Sequence, residues 1–205
     1  MTTQTQKTLV QINSSLFSDH GQSSALADQF VAKWQATHAG GKVIRHDLVK
    51  EEIPHLDGAR FLSFLAKPEE RNEAQKDVVA FSDRLINELR AAETLVIGLP
   101  LYNFGVPSHL KAYFDHVARA GETFQYTATG PKGLLTDKKV YVFATRGGQY
   151  VGTPLDTQTS YVRDFLAFLG ITDVTFVYAE GLARGDEMKG AALAQAQQQL
   201  AALPV

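Results

Sequence analysis

The sequence predicts a doubly wound parallel α/β sheet, and three observations predict it. Five short apolar, β-rich runs alternate with helical stretches along the chain, and no internal repeat breaks the alternation. The middle run, Leu95 to Leu99, is unbroken apolar, too short for a helix and carries the β-formers Val96 and Ile97, which suits a strand covered on both faces. Pro100 ends its ladder, and Leu101-Tyr102-Asn103-Phe104-Gly105 follows as a loop bearing two aromatics, an amide and a glycine. Ser108 then stands where it would cap a helix running through Leu110, Phe114 and Val117. A buried strand leading into such a loop marks the carboxyl edge of a parallel sheet, where open α/β folds keep their ligands.

The remaining elements follow in order. Thr8 to Ile12 is β-rich and runs into Asn13-Ser14-Ser15 and a polar loop, Leu16 to Gln22. A helix begins near Ser23, with Leu26, Phe30 and Trp34 recurring every four residues. Gly40-Gly41 breaks it, and Lys42 to Leu48 reads as the second strand. Glu51 to Pro68, with breakers at Pro54, Gly58 and Pro68, reads as a long loop holding at most short helical turns. A helix from about Glu69 to Arg90, with Val78, Leu85 and Leu89 on its apolar face, feeds the strand at Leu95. Gly121 to Thr136 reads as a hairpin or turn-rich excursion. Val140 to Ala144 is the fourth strand, followed by the loop Thr145 to Tyr150 and a helix with Val162, Phe165, Leu166 and Leu169, closed by Gly170 at C′. Val174 to Ala179 is the fifth strand, and the tail from Met188 is an Ala/Gln/Leu helix.

Composition narrows the function. The 205 residues, 44% hydrophobic and 20% charged, suffice for a sizeable core and read as one domain, 1–205. A net charge of −2 with no Lys/Arg cluster argues against a nucleic-acid partner. The absence of cysteine excludes disulfides, thiolate catalysis and Cys-ligated metals. The amino-terminal stretch has neither a charged n-region with an apolar h-region nor a bilayer-length span, so the expectation is a cytoplasmic protein without a membrane partner.

In a parallel sheet the loops after strands one, three and four emerge at one edge and can share one ligand. The first offers Ser14, Ser15, Gln22 and Ser23 at a helix start, with backbone N–H groups aimed at an anion. Neither GxGxxG nor GxxxxGK[ST] occurs, so what remains is a monophosphate held by neutral donors. Ordinary capping is the competing role for any one of these serines. The second loop sets Tyr102 and Phe104 as flat surfaces around Asn103, and the third offers the approachable backbone of Gly147-Gly148, materials for gripping a planar heteroaromatic ring. Arg146 reads equally as a ligand of that site or as a solvated loop charge. A phosphate pocket and a ring pocket on one edge match the two ends of a flavin mononucleotide.

The segments PLYNFGVPSHLKAYFDHVARAGETFQYTATGPKGL and ATRGGQY, with SSLFSDHGQS near the start and FLGITDV and FVYAEGL near the end, resemble the FMN-dependent NADH-azoreductases of the flavodoxin-like superfamily. The resemblance spans almost the whole chain and implies a flavodoxin-like five-stranded parallel sheet of order 2-1-3-4-5 with helices on both faces. It implies phosphate binding by Ser15, Gly21, Gln22 and Ser23, ring contacts from Leu101, Tyr102, Asn103 and Phe104, and a last flavin loop at Thr145, Arg146, Gly147 and Gly148. Serine is commoner in that family in place of Gly21 and of Thr145; Gly21 keeps its backbone N–H.

No HExxH, no GxSxG and no ligand spacing among the six histidines point to a metal or a catalytic triad. Ser108-His109 reads as a cap, and Asp115-His116 as a solvent or subunit contact on a helix surface. The cofactor then carries the reaction. By the resemblance, a nicotinamide, NADH or NADPH, gives hydride to flavin N5 and leaves, and an azo compound or quinone takes its place, a ping-pong scheme. The alternatives are a quinone reductase with incidental azo activity and a flavodoxin-type electron carrier. Such carriers are more acidic and lack the insertions at Glu51 to Pro68 and Gly121 to Thr136. A phospho-acceptor receiver domain fails because Leu99-Pro100-Leu101 holds no Asp. The resemblance also implies a homodimer walling the flavin site, in keeping with Phe104, Tyr113, Phe124 and Tyr126 near the pocket; packing of these aromatics beneath the Gly121 to Thr136 excursion is the other reading.

Overall fold

The computed structural model describes residues 6–205, so the first five residues of the expected 1–205 domain lie outside the described residues. Among the described residues the elements are β1 Thr8–Asn13, α1 Gln22–Thr37, β2 Lys42–Asp47, α2 Gly58–Leu65, α3 Glu73–Ala91, β3 Thr94–Pro100 and α4 Ser108–Val117. They continue as β4 Phe124–Thr127, β5 Gly130–Gly133, β6 Lys139–Thr145, α5 Thr157–Phe168, β7 Asp173–Ala179 and α6 Asp186–Ala202. Five strands form one sheet in the order β2-β1-β3-β6-β7, every neighbouring pair parallel. With the separate antiparallel hairpin β4-β5 set aside, this is the expected 2-1-3-4-5 order.

The three central strands are apolar on both faces because both faces are covered. On one side Leu9, Val96, Phe143 and Val177 meet Phe30 and Trp34 of α1 and Leu200 of α6. On the other, Val10, Ile12, Ile97 and Val142 meet Leu85 and Leu89 of α3, Phe114 of α4 and Leu166 of α5. Each such side chain, fully buried, contributes about 1.5–3 kcal/mol. Gly98 in β3 is required by a close approach, since a Cβ there would fall 3.0 Å from Asn13 Oδ1 and 3.2 Å from the Ser23 carbonyl oxygen. Its bare backbone lets the first turn of α1 lie directly against the sheet.

Three expectations need correction. Glu51 to Pro68 contains an eight-residue helix, α2, started by Asp57, whose side chain accepts from Arg60 N at 2.8 Å; Gly58, read as a breaker, is its first residue. The following helix does not run from Glu69. A 3₁₀ turn at Pro68–Glu70 precedes it, and α3 begins at Glu73 behind an Asn72/Gln75 capping box, with Val79 rather than Val78 buried. Ser108 is the first residue of α4 after Pro107 and forms no side-chain cap. The hairpin and the helix closure hold: Gly170 N donates to Ala167 O and Ile171 N to Leu166 O, a Schellman end.

Two buried histidines tie the α2 region to the sheet. His116, expected on a helix surface, is buried and donates from Nε2 to the Pro54 carbonyl at 2.9 Å, and burial holds its pKa below the usual value. His46, at the end of β2, is 3% exposed and lies between Glu51 at 2.9 Å and Glu88 of α3 at 2.7 Å. Burial alone would depress its pKa, but the hydrogen bonds and charges of the two carboxylates win and raise it to about 9. A folded-state pKa above the unfolded value of about 6.5 gives stability that is fully present below that value and lost as pH rises toward 9. Urea denaturation should therefore show stability falling by about 3 kcal/mol between pH 6 and pH 10 from this group. His46→Gln should be less stable at pH 6 and lose that part of the slope; an unchanged slope would show that the imidazolium contributes nothing.

Candidate functional site

The parallel register sets the strand ends level. Asn13 pairs with Gly98, and Pro100 pairs with Thr145, so the loops after β1, β3 and β6 leave the sheet side by side. They enclose an open cleft of about 330 Å³, lined by Ser15, Gly21, Gln22, Leu101, Tyr102, Thr145, Arg146 and Gly147 from the expected set. Phe17, His20, Pro100 and Leu182 line it as well. Larger grooves lie between α2 and α3 and at the opposite edge near Gly40, and neither gathers the expected residues.

At one end of the cleft α1 begins. Gly21 occupies the cap position with no side-chain cap bond, and the first turn holds no acidic residue, so its N–H groups remain available to an anion. Ser23 in that turn is buried, does not line the cleft, and its Oγ has no hydrogen-bond partner; the same is true of Ser24. Such orphaned hydroxyls are the kind of donor that a bound oxyanion satisfies. A Cβ on Gly21 would lie 2.1 Å from Ser15 Oγ and 2.5 Å from Ser15 Cβ. In this chain the Ser15 side chain fills the space that a serine at position 21 would need.

At the other end, the loop after β6 turns its carbonyls away. Those of Arg146, Gly147 and Gly148 accept from Leu182 N at 3.1 Å, Ala183 N at 3.0 Å and Gly181 N at 2.8 Å. In a trans peptide the N–H points opposite to the carbonyl, so the N–H groups of Gly147, Gly148 and Gln149 face away from the β7–α6 loop. Between the two ends lies the tight turn Tyr102–Gly105. Its central residues, Asn103 and Phe104, have φ of 50° and 60°, a left-handed conformation that costs a phenylalanine about 1–3 kcal/mol. Gln158 offsets that cost by donating to Pro100 O at 3.0 Å and Gly105 O at 3.2 Å, and Thr157 Oγ1 donates to Phe104 O. Asn103, Phe104 and Gly148 lie outside the cleft lining, and the Phe104 ring is 50% exposed against Tyr150.

A family model described as a flavodoxin-like fold matches residues 7–203. The chain belongs to this flavodoxin-like family. It is 52% identical over 197 residues to an FMN-dependent NADH:quinone oxidoreductase of Cellvibrio japonicus, covering 95% of this chain and 99% of the relative. It is 52% identical over 196 residues to one from Burkholderia thailandensis, covering 96% and 99%. Among solved structures it superposes with TM-score 0.85 on the FMN-dependent NADH-azoreductase of Bacillus anthracis str. Ames Ancestor in complex with FMN, at 26% identity, covering 95% of this chain and 98% of that one.

In this flavodoxin-like chain Arg146 is neither a solvated charge nor a free ligand. It is 1% exposed, and its guanidinium donates to Asp156 at 2.7 Å, Thr159 Oγ1 at 2.9 Å and Glu180 at 3.2 Å, over the Tyr178 ring. Glu180 also accepts from Tyr150 N at 2.8 Å and Val151 N at 3.0 Å, which ties the loop down at both ends. Both acids lie beyond the loop in sequence and carry no local motif. Leu182 likewise comes from the loop after β7, marked in sequence only by Gly181, whereas Phe17 and His20 sit inside the polar loop already singled out. Arg146→Met should destabilise the protein by about 3–5 kcal/mol, because two poorly exposed carboxylates lose their cation. A surface charge would cost under about 0.5 kcal/mol, and urea denaturation separates the two.

Proposed function

We propose that the chain is a single FMN-binding domain working in the cytoplasm as an oxidoreductase that passes electrons from NAD(P)H to quinones and aromatic azo compounds. The observation that carries this reading is the meeting in one cleft of the start of α1, at Gly21 and Gln22 with two orphaned serine hydroxyls buried behind it, and the loop at Gly147, whose carbonyls are anchored away from its N–H groups. The names and full-length similarity of the relatives support the donor and the acceptors. FMN, when bound, supplies the hydride and electron chemistry.

The residues present fit that cofactor. Ser15, Gly21, Gln22 and Ser23 would hold a phosphate with neutral donors and the α1 N-terminus. Leu101 to Phe104 would flank the ring, and the N–H groups of Gly147 and Gly148 would meet its polar edge, with Thr145 and Arg146 fixing the loop that carries them. The strained turn and the buried Arg146 network keep these donors preoriented. Arg146, the one guanidinium in the cleft wall, is held in ion pairs and is not set up as a proton donor.

The same reading includes a homodimer that shares the flavin wall. Tyr113 and Phe124 do not serve it, being buried in the chain's own core, Phe124 against Phe168 at 4.2 Å. Tyr126 at 76% exposure, Phe104, and the α2 residues Phe61, Leu62 and Leu65 remain apolar and open. Light scattering should return a dimer mass, and Tyr126→Glu should weaken association and activity together; a fully active monomer excludes the shared wall.

The purified protein should be yellow and release FMN, not FAD, on heating; a colourless protein that takes up no flavin would refute the assignment. Ser23→Ala should raise the FMN Kd roughly 10- to 150-fold, the loss of one hydrogen bond to a charged group, read by flavin fluorescence. Initial rates should give parallel double-reciprocal lines, since the nicotinamide and the acceptor use one site in turn. Comparing kcat/KM for quinones and azo dyes with NADH and NADPH ranks the substrates; intersecting lines would mean a ternary complex.

A further inference from the structure

We infer that Tyr102 is a positioning residue for the phosphate end of the cleft, acting through its hydroxyl, in addition to any contact of its ring with the isoalloxazine. The inference rests on the FMN reading above and concerns how the two ends of the cleft are held in register with each other.

The backbone at Tyr102 has almost no freedom. Leu101 N donates to Thr145 O at 2.9 Å, Gly105 N donates to Tyr102 O at 3.0 Å, and Gln158 holds both flanks of the turn. From that fixed base the side chain reaches across the cleft to the first loop. Its hydroxyl accepts from Leu16 N at 3.3 Å and lies 3.5 Å from Ser15 Oγ. Ser15 Oγ in turn accepts from Phe17 N at 3.2 Å and fills the space beside Gly21, the residue that opens α1. The Tyr102 hydroxyl is thus the side-chain link that joins the β3 loop to the β1 loop. It fixes the Leu16 N–H and the Ser15 hydroxyl just before the helix start. These are the groups a loop free to breathe would lose first, because the flanking Leu16 and Phe17 side chains are exposed and give it little packing.

A ring platform and a phosphate-loop tie make different demands on the ligand. Riboflavin has the ring and lacks the phosphate, so the two roles separate in the ratio of affinities. Tyr102→Phe keeps the ring and removes only the hydroxyl. By fluorescence quenching of the purified apoprotein, Tyr102→Phe should raise the FMN Kd about fivefold, the worth of one neutral hydrogen bond, and leave the riboflavin Kd within about twofold. In a Ser15→Ala background the same change should add less than it does alone, because the hydroxyl acts partly through Ser15.

Equal weakening of FMN and riboflavin would assign Tyr102 to the ring alone and overturn the inference. Unchanged FMN affinity in Tyr102→Phe, with wild-type protein binding FMN tightly, would overturn it while leaving the FMN reading intact. Wild-type protein that binds neither flavin would end both. Thermal melting of the variant guards the comparison: a fall in Tm with no FMN-specific effect would make the hydroxyl a structural bond only, which also overturns the inference.

Discussion

β3 is hydrogen-bonded on both sides, to β1 and to β6, and its register governs everything at the cleft. Because the pairs are parallel, all three strands deliver their following loops to one edge, and because Pro100 stands level with Thr145, the β3 and β6 loops leave together. A slip of one residue would turn Val96 and Ile97 to the opposite faces and unseat both cores at once. The register is therefore held by the same apolar side chains that hold the fold. The geometry of the candidate site is inherited from the core and does not have to be stabilised separately.

Close approach at Gly98 is the second consequence of that central strand. With no Cβ in the way, the first turn of α1 sits against β3, and Ser23 and Ser24 are buried there with hydroxyls unpartnered. A buried, unsatisfied hydroxyl costs about 1–3 kcal/mol, so two of them on adjacent residues of one helical turn make a destabilising cluster. The left-handed Asn103-Phe104 turn adds strain a few residues beyond the end of β3. Costs of this kind gather where a ligand rather than the fold sets the requirement.

The sheet was legible because its strands are covered on both faces and so appear as apolar runs, and the serine, aromatic and glycine loops were legible because each directly follows such a run. What misled was punctuation. Gly58 behind Asp57 looks like a turn pair and is a capped helix start; Glu69 looks like the opening of α3, but Pro68 opens a 3₁₀ turn and Asn72 caps the true start. Phe124 and His116 carry no sign in the local pattern that they are buried, since Phe124 packs on Phe168 of α5 and His116 bonds the loop at Pro54, whereas Tyr113 completes the apolar stripe Leu110, Tyr113, Phe114, Val117 of α4. The same limit applies to Arg146, since Glu180 is brought to it by the parallel pairing of β6 with β7, and Asp156 and Thr159 by the start of α5.

The placement of charge follows from these constraints. A mobile cation at the cleft would attract an anion strongly, but its side chain would have to be ordered and desolvated each time. Here the one guanidinium of the cleft wall is already neutralised by two carboxylates, and its strength goes into holding the Gly147-Gly148 backbone. What the cleft offers an anion is then backbone N–H groups and hydroxyls whose directions the sheet has set. Dipoles fixed in this way need no reorganisation when a ligand arrives, and they favour a flat, polar-edged ring with a single phosphate over a highly charged ligand. The buried charge and the neutral binding surface are thus two parts of one arrangement: the ion pairs make the loop rigid, and the rigid loop makes uncharged donors sufficient.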